Sequence, residues 1–161
     1  MTVLVGGNPT EIYASTQYIQ GKSFGLGDRL VQHDGKEFVW LQASATITGA
    51  GFVCFITTAN LATMLSTSND AIGNRVAIAP AAMVAGDQGW FQVLGFCDNV
   101  QVLASCAANV RVNTTATAGA LDDDGTAGAM SILGLVLSTA RAASQGNAPA
   151  ILSYPTIGVV I

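Results

Sequence analysis

Short apolar runs separated by turn residues make up most of the chain, and the clearest pair of them predicts a β-hairpin. The runs 29–33 and 36–41 flank the dipeptide Asp34-Gly35. An Asp-Gly pair between two apolar runs indicates a two-residue type I′ turn, in which both central residues have positive φ. With such a turn, Val31 lies opposite Phe38.

A second pair of apolar runs follows the same pattern. The runs 89–97 and 100–106 flank Asp98-Asn99, which again indicates a two-residue turn. This hairpin would place Cys106 opposite Phe91. Other short runs rich in β-branched and aromatic residues predict further strands, and these span residues 51–57, 75–79, 110–114, 130–138 and 150–161.

One segment favours a helix. Within residues 60–66, Leu61, Met64 and Leu65 are spaced i, i+3 and i+4, which is the spacing of one apolar helix face. Thr58 precedes the segment and is a suitable N-cap. The pattern therefore predicts one short amphipathic helix.

These elements define the expected fold. Strands with turn signals at intervals of about 8–12 residues, without alternating helices, predict an all-β small barrel or sandwich. Residues 11–19 alternate weakly and predict an extended arm or an edge strand. We therefore expect an N-terminal arm over residues 1–22 and a single β-rich domain over residues 23–161.

Charged residues are scarce. The chain has six Lys and Arg and ten Asp and Glu, only 10% of 161 residues, whereas about 25% is typical. A monomer of this mass exposes about 7,500 Å², so the exposed surface area per charged residue would be unusually large, which favours an assembled protein.

The scattered cations argue against nucleic-acid binding. Gly, Asn, Ser and Thr interrupt the longest uncharged stretch, so we expect no membrane span. The N-terminus has no basic region ahead of an apolar stretch, so we expect no signal peptide.

Residues that could carry chemistry are few. Cys54, Cys97 and Cys106 form an odd set without a CxxC pair, which predicts buried thiols rather than a disulfide framework. The single histidine, His33, falls in a predicted turn. The acidic run 122–124 favours a solvated turn and lacks the alternate ligand spacing of an EF-hand, although calcium binding stays open. With no nucleophile motif or phosphate-binding loop present, we expect no enzyme, no cofactor and no metal.

Three stretches resemble a recurring pattern in small structural proteins of tailed phages. They are residues 79–95 (APAAMVAGDQGWFQVLG), residues 116–121 (ATAGAL) followed by Ile132-Leu133-Gly134, and Gly27-Asp28 with the turn region 34–38. Together they extend the resemblance over residues 24–161. On these stretches the chain is similar to phage head decoration, or cement, proteins.

The resemblance implies a virion protein on the outer capsid surface, assembled in the host cytoplasm and often trimeric. Its partners would be the major capsid protein and further copies of itself, with no nucleic acid and no membrane. The alternative is a virion or cell-surface domain that binds a receptor or a glycan, with Trp40 or Trp90 near residues 122–124 as a platform. A tail-tube or connector subunit is a third structural possibility.

Apolar side chains near the two ends are the candidate contacts with a capsid or with other copies. The first 20 residues contain only one charge, Glu11, and Pro9 and two glycines favour an extended arm. Such a segment can lie in a groove or add a strand to a neighbouring sheet. The candidates are Val3, Leu4, Val5, Ile12, Tyr13, Tyr18, Ile19, Tyr154, Ile157, Val159 and Ile161.

Overall fold

The computed structural model describes residues 3–5 (as backbone), 8–15 and 24–161. This part of the chain contains twelve strands and no helix, so the all-β class is confirmed. The strands are β1 (Val3–Val5), β2 (Ile12–Tyr13), β3 (Arg29–Val31), β4 (Glu37–Ala43), β5 (Val53–Ile56), β6 (Leu61–Met64), β7 (Arg75–Ile78), β8 (Gln88–Val102), β9 (Val112–Thr114), β10 (Leu121–Asp122), β11 (Met130–Leu137) and β12 (Gly146–Val160).

Hydrogen bonding closes these strands into two rings of five, and both rings contain β8. The first ring runs β4–β6–β5–β7–β8 and back to β4; the second runs β8–β12–β11–β9–β10 and back to β8. Strand β8 is 15 residues long. Its residues 88–94 pair with β4, and its residues 94–102 pair with β12. One continuous strand therefore belongs to both small barrels and joins them.

Each ring encloses its own apolar core. Leu41, Phe91 and their neighbours fill the first, and Leu135, Leu152 and their neighbours fill the second. Strands β5 and β7 lie between the two cores, with successive side chains pointing to opposite sides. Cys54 and Ala77 face the first core, whereas Val53 and Val76 face the second. Burial on both sides explains why these strands are continuously apolar rather than alternating.

A third, aromatic cluster lies on the outer side of the first ring. We call the side chains of Phe38, Trp40 and Trp90 the covered face, since all three are buried although they point away from the first core. The two indole rings are 4.9 Å apart at 66°, an edge-to-face geometry that aromatic pairs favour. Phe24 and Tyr13 pack over them with ring centroids 4.8 and 5.1 Å from Trp40.

The first predicted hairpin is confirmed, but its turn contains three residues, 33–35, rather than two. Gly35 has φ of 84°, and no other residue of the turn has positive φ. A type I turn followed by a left-handed glycine gives this three-residue loop. The added residue places Val31 opposite Glu37, so the predicted pairing of Val31 with Phe38 is wrong.

The second predicted hairpin is wrong, because β8 continues without interruption through its turn signal. The ladder to β12 shifts register so that Asp98 and Asn99 together lie opposite Pro149. Proline has no amide proton to complete the ladder, and a bulge with two residues opposite one results. The predicted pairing of Cys106 with Phe91 is therefore also wrong.

The predicted helix is also wrong, since residues 61–64 form strand β6. Asn60 adopts φ of 58°, and its backbone N–H donates to the Thr57 carbonyl oxygen at 3.0 Å. This turn reverses the chain after β5. Strand β6 then pairs with β5 on one side and with β4 on the other. An isolated helical turn is marginal in water, so pairing with two neighbouring strands prevails over the helical spacing.

The remaining predicted strands are confirmed. They are β5, β7, β9, β11 and β12. At the N-terminus, β1 runs parallel to β3, and β2 pairs with Gln88 and Gly89 of β8. The proposed domain boundary at residue 22 lies outside the described residues and stays a prediction.

Candidate interaction surface

A row of exposed apolar side chains crosses the outer side of the second ring. Val136 of β11 lies opposite Ile151 of β12, which lies opposite Phe96 of β8. Their exposed fractions are 42%, 50% and 42% respectively. Directly opposite residues in a sheet are side-chain neighbours on one face. The three side chains therefore form one continuous patch, which we call the open face.

The composition of the two outer strands makes the open face unusual for a sheet that contacts water. Neither β11 nor β12 contains a charged residue. Their inward side chains, among them Leu135 and Leu152, are buried in the second core. The outward positions of a half-solvated antiparallel sheet are usually polar. Here the outward side chains of β11 and of the middle of β12 are apolar as well, and within the described residues only the inward side is covered.

Further exposed apolar side chains lie toward the C-terminal end of β12. Leu133, Val159 and Val160 are 55–62% exposed. Between Leu133 and the open face, Gly134 adopts φ of 74°, where a Cβ atom would lie 2.5 Å from the carbonyl oxygen of Ser153. Glycine therefore lets β11 bulge while remaining close to β12.

The predicted contact residues of the C-terminal strand divide into two groups. Tyr154 and Val159 are exposed and accessible to a partner. Ile157 is only 1% exposed and belongs to the second core. Ile161 is half-buried, and its side chain packs close to Gly125.

The predicted contact residues of the N-terminal segment lie in different places. The backbone of Val3–Val5 forms β1, and Ile12 and Tyr13 are half-buried in β2. Tyr18 and Ile19 lie outside the described residues. The described part of this segment thus forms two edge strands, and the Tyr13 ring covers part of the aromatic cluster on the first ring.

Sequence reasoning did not select Phe96, Val136 or Ile151. The available signal was the absence of polar residues in 132–137 and 150–152. That signal alone indicates a strand buried on both sides. Only the ring topology identifies which side has no cover.

Neither Trp40 nor Trp90 is exposed at the surface, so neither can form the glycan-binding platform of the alternative hypothesis. Both indoles are at most 1% exposed and pack against each other in the covered face. The indole nitrogen of Trp40 donates to Gln88 at 2.9 Å. The two tryptophans therefore act as core residues.

The acidic turn places two carboxylates beside a buried thiol. Ligand atoms of Cys106, Asp122 and Asp123 lie within 4.8 Å of one another. Burial raises the pKa of Asp122, and burial together with the neighbouring carboxylates raises the pKa of Cys106 to about 12. These groups could ligate a divalent cation that accepts a thiolate, whereas Ca²⁺ prefers an all-oxygen set. The predicted solvated turn over residues 122–124 holds only in part: Asp124 is exposed, whereas Asp122 ends strand β10 and both Asp122 and Asp123 are half-buried.

Comparison with known proteins adds no relative to this geometry. The chain matches no sequence profile of a known protein family and no curated protein. In the described residues, no helix has the length and apolar character needed to cross a membrane.

Proposed function

We propose that the protein is a non-enzymatic structural component of a virion. In this proposal it decorates the outer surface of a phage capsid and stabilises the shell by bridging major capsid proteins. The observation that carries the proposal is the open face, where Phe96, Val136 and Ile151 are 42–50% exposed on strands of which two have no charged residue. Exposed contiguous apolar surface favours burial against a partner.

The energetics favour a repetitive assembly over a single contact. Full burial of one such side chain is worth about 1.5–3 kcal/mol, and roughly half of that is already gained in the free protein. Association itself costs at least several kcal/mol. Three such side chains therefore support a weak contact, which becomes strong when many contacts on one shell act together.

The same surface supports self-association into a trimer. Burying a charge without a partner is costly, and the uncharged outer strands avoid that cost. Interface cores are depleted in charged residues for this reason. We expect the trimer to assemble in the host cytoplasm before it attaches to the capsid.

The test replaces Ile151 by lysine and compares it with Ile72→Lys. Ile72 is 65% exposed in the turn before β7 and is outside the open face. Native mass spectrometry should find trimers for the wild type and for Ile72→Lys. Ile151→Lys should be mainly monomeric. On purified phage capsids that lack the protein, the occupancy of Ile151→Lys should be at least about tenfold lower than that of the wild type, because an unpaired charge is costly to bury.

Two results would overturn this proposal. If the wild-type protein stays monomeric at high concentration and does not attach to capsids, the proposed structural role in a virion is wrong. Saturable binding to a glycan array or to host cells, unaffected by Ile151→Lys, would instead support the receptor- or glycan-binding alternative.

A further inference from the structure

A small pocket opens on the first ring, at the point where β12 crosses beside β7. Its volume is about 260 Å³. Buried valine and isoleucine side chains form its floor, residues of β12 form one wall, and two arginines lie at its rim. The lining residues are Val39, Ile56, Val76 and Val93 on the floor, Tyr154, Pro155 and Thr156 on the wall, and Arg29 and Arg75 at the rim.

The two arginines differ in how their charge is compensated. Nη1 of Arg29 lies 3.5 Å from Oε2 of Glu37, and its guanidinium lies over the Tyr154 ring at 5.3 Å. Nη2 of Arg75 donates to the neutral Oδ1 of Asn60 at 3.1 Å. No carboxylate of the described residues forms an ion pair with Arg75. The rim therefore carries one positive charge in excess.

Tyr154 forms the wall from an uncommon backbone conformation. Its φ is 47°, a region that residues other than glycine rarely adopt. The nearby Glu37 carboxylate and burial raise the pKa of Tyr154. The Arg29 guanidinium over the ring helps to hold the ring in place. A strained residue held by its surroundings beside a cavity is a common feature of ligand sites.

We propose that this pocket binds a small carboxylate with a short apolar chain. The carboxylate would pair with Arg75, and the chain would lie on Val39 and Val93. A volume of 260 Å³ corresponds to about nine water molecules at ~30 Å³ each, which suits a six-carbon acid. This inference does not depend on the proposed capsid role.

The pocket chemistry disfavours other classes of ligand. A cation would be repelled by the excess charge at the rim. A phosphate would have to bring several strongly hydrated oxygens onto an apolar floor, which costs free energy without a hydrogen-bond donor for each. A neutral apolar molecule would fit the floor but would leave the charge of Arg75 without an opposite charge. Only an anion with an apolar body satisfies both parts of the pocket.

Hexanoate is the probe, and hexanamide, which has the same shape without the charge, is its control. Methyl resonances of Val39 and Val93 should shift saturably with hexanoate, with a Kd on the order of 1 mM, as expected for so small a ligand. Hexanamide should bind about twofold to fivefold more weakly, since the ion pair that it lacks involves a solvent-exposed arginine.

Arg75→Gln should weaken hexanoate binding by the same factor. Its matched control is Arg111→Gln, which removes another exposed arginine outside the pocket and should leave binding unchanged. Equal binding of hexanoate and hexanamide to the wild type would overturn the proposal. So would unchanged affinity in Arg75→Gln, or hexanoate binding that never saturates or leaves the Val39 and Val93 methyls unmoved.

Discussion

Each ring has an apolar outer face, but among the described residues only the face of the first ring is covered by the chain itself. On the first ring, Trp40 and Trp90 are at most 1% exposed because Phe24 and Tyr13 pack over the covered face. On the second ring, Ile151 stays 50% exposed in the middle of the open face. Each face contains a residue of β8 and a residue of a strand antiparallel to it, and Val136 of β11 extends the open face by one further strand.

This difference separates stability within one chain from association between chains. The covered face gains its burial from the protein's own N-terminal residues and therefore contributes to the free energy of folding. The open face has no such cover in the described residues, so its apolar area contributes only when another molecule is present. Substitutions on the two faces should consequently change different measured quantities.

The largest effect is expected at the covered face. Trp40→Ala should reduce the free energy of unfolding by about 3–5 kcal/mol, because it removes a fully buried indole and leaves a cavity. Denaturant titration of the monomer would measure the loss. A change below about 1 kcal/mol would mean that the aromatic cluster is not part of the folded core.

Tyr13→Ala should have the next largest effect. It removes the ring that packs edge-on against Trp40 and stacks with Phe24 at 6.1 Å, and a loss of about 2 kcal/mol is expected from the burial. The tryptophan fluorescence should shift to longer wavelength because water reaches the indoles. Tyr154→Ala, which removes an exposed tyrosine that is not part of the aromatic cluster, is the control for fluorescence. An unshifted spectrum in Tyr13→Ala would show that the cover does not depend on Tyr13.

The local elements of this fold could be predicted from sequence, whereas their partners could not. Runs such as 75–79 and 130–138 are recognisable as strands because β-branched and apolar residues are concentrated between turn signals. The same local signals failed at Asp98-Asn99, where the pairing with Pro149 converts an apparent turn into a bulge. They failed at residues 61–64, where two neighbouring strands outweigh a helical spacing.

The candidate surface was harder to predict for a related reason. An outward Val136 and an inward Leu135 are both apolar, so hydrophobicity does not distinguish the side that faces water. That assignment depends on closure of the second ring, which involves pairings between residues far apart in the chain, such as Leu121 with Val102 and Val112 with Ile132. The N-terminal candidates Ile12 and Tyr13 were selected for their apolar character, yet in the structure both pack on the first ring.

The buried cysteines test whether the two rings unfold together. Cys54 lies in the first core, and Cys97 and Cys106 lie in the second. Burial raises the pKa of all three thiols, that of Cys106 to about 12. Because β8 is shared, we expect all three to react with a thiol reagent in one phase, at the rate of global unfolding. Earlier labelling of Cys97 and Cys106 alone would indicate that the second ring opens independently.

The same shifts predict how stability depends on pH. An unfolded thiol ionises near its ordinary pKa of 9.0, whereas the folded protein keeps the proton. The free energy of unfolding is therefore unaffected by these thiols below about pH 9. It falls as the pH rises from there toward the pKa of the folded protein, by at most about 1.4 kcal/mol per pH unit for each thiol. Denaturant titrations between pH 8 and pH 10.5 would measure this slope. The variant Cys106→Ala should have a shallower slope. An unchanged slope would show that Cys106 does not contribute to the pH dependence of stability.

The smallest effect on folding is expected at the open face, and it gives the sharpest comparison. Ile151→Ser should reduce the free energy of unfolding of the dilute monomer by only about 1 kcal/mol, because the half-exposed side chain gains roughly half of its burial free energy on folding. Leu152→Ser, one residue further along the same strand, should cost about 3 kcal/mol or more because Leu152 is only 1% exposed. At concentrations where the wild type associates, Ile151→Ser should remain monomeric while its fold is intact. If Ile151→Ser instead destabilised the dilute monomer as much as Leu152→Ser, the open face would have to be covered within the chain, and its role as an interface would be lost.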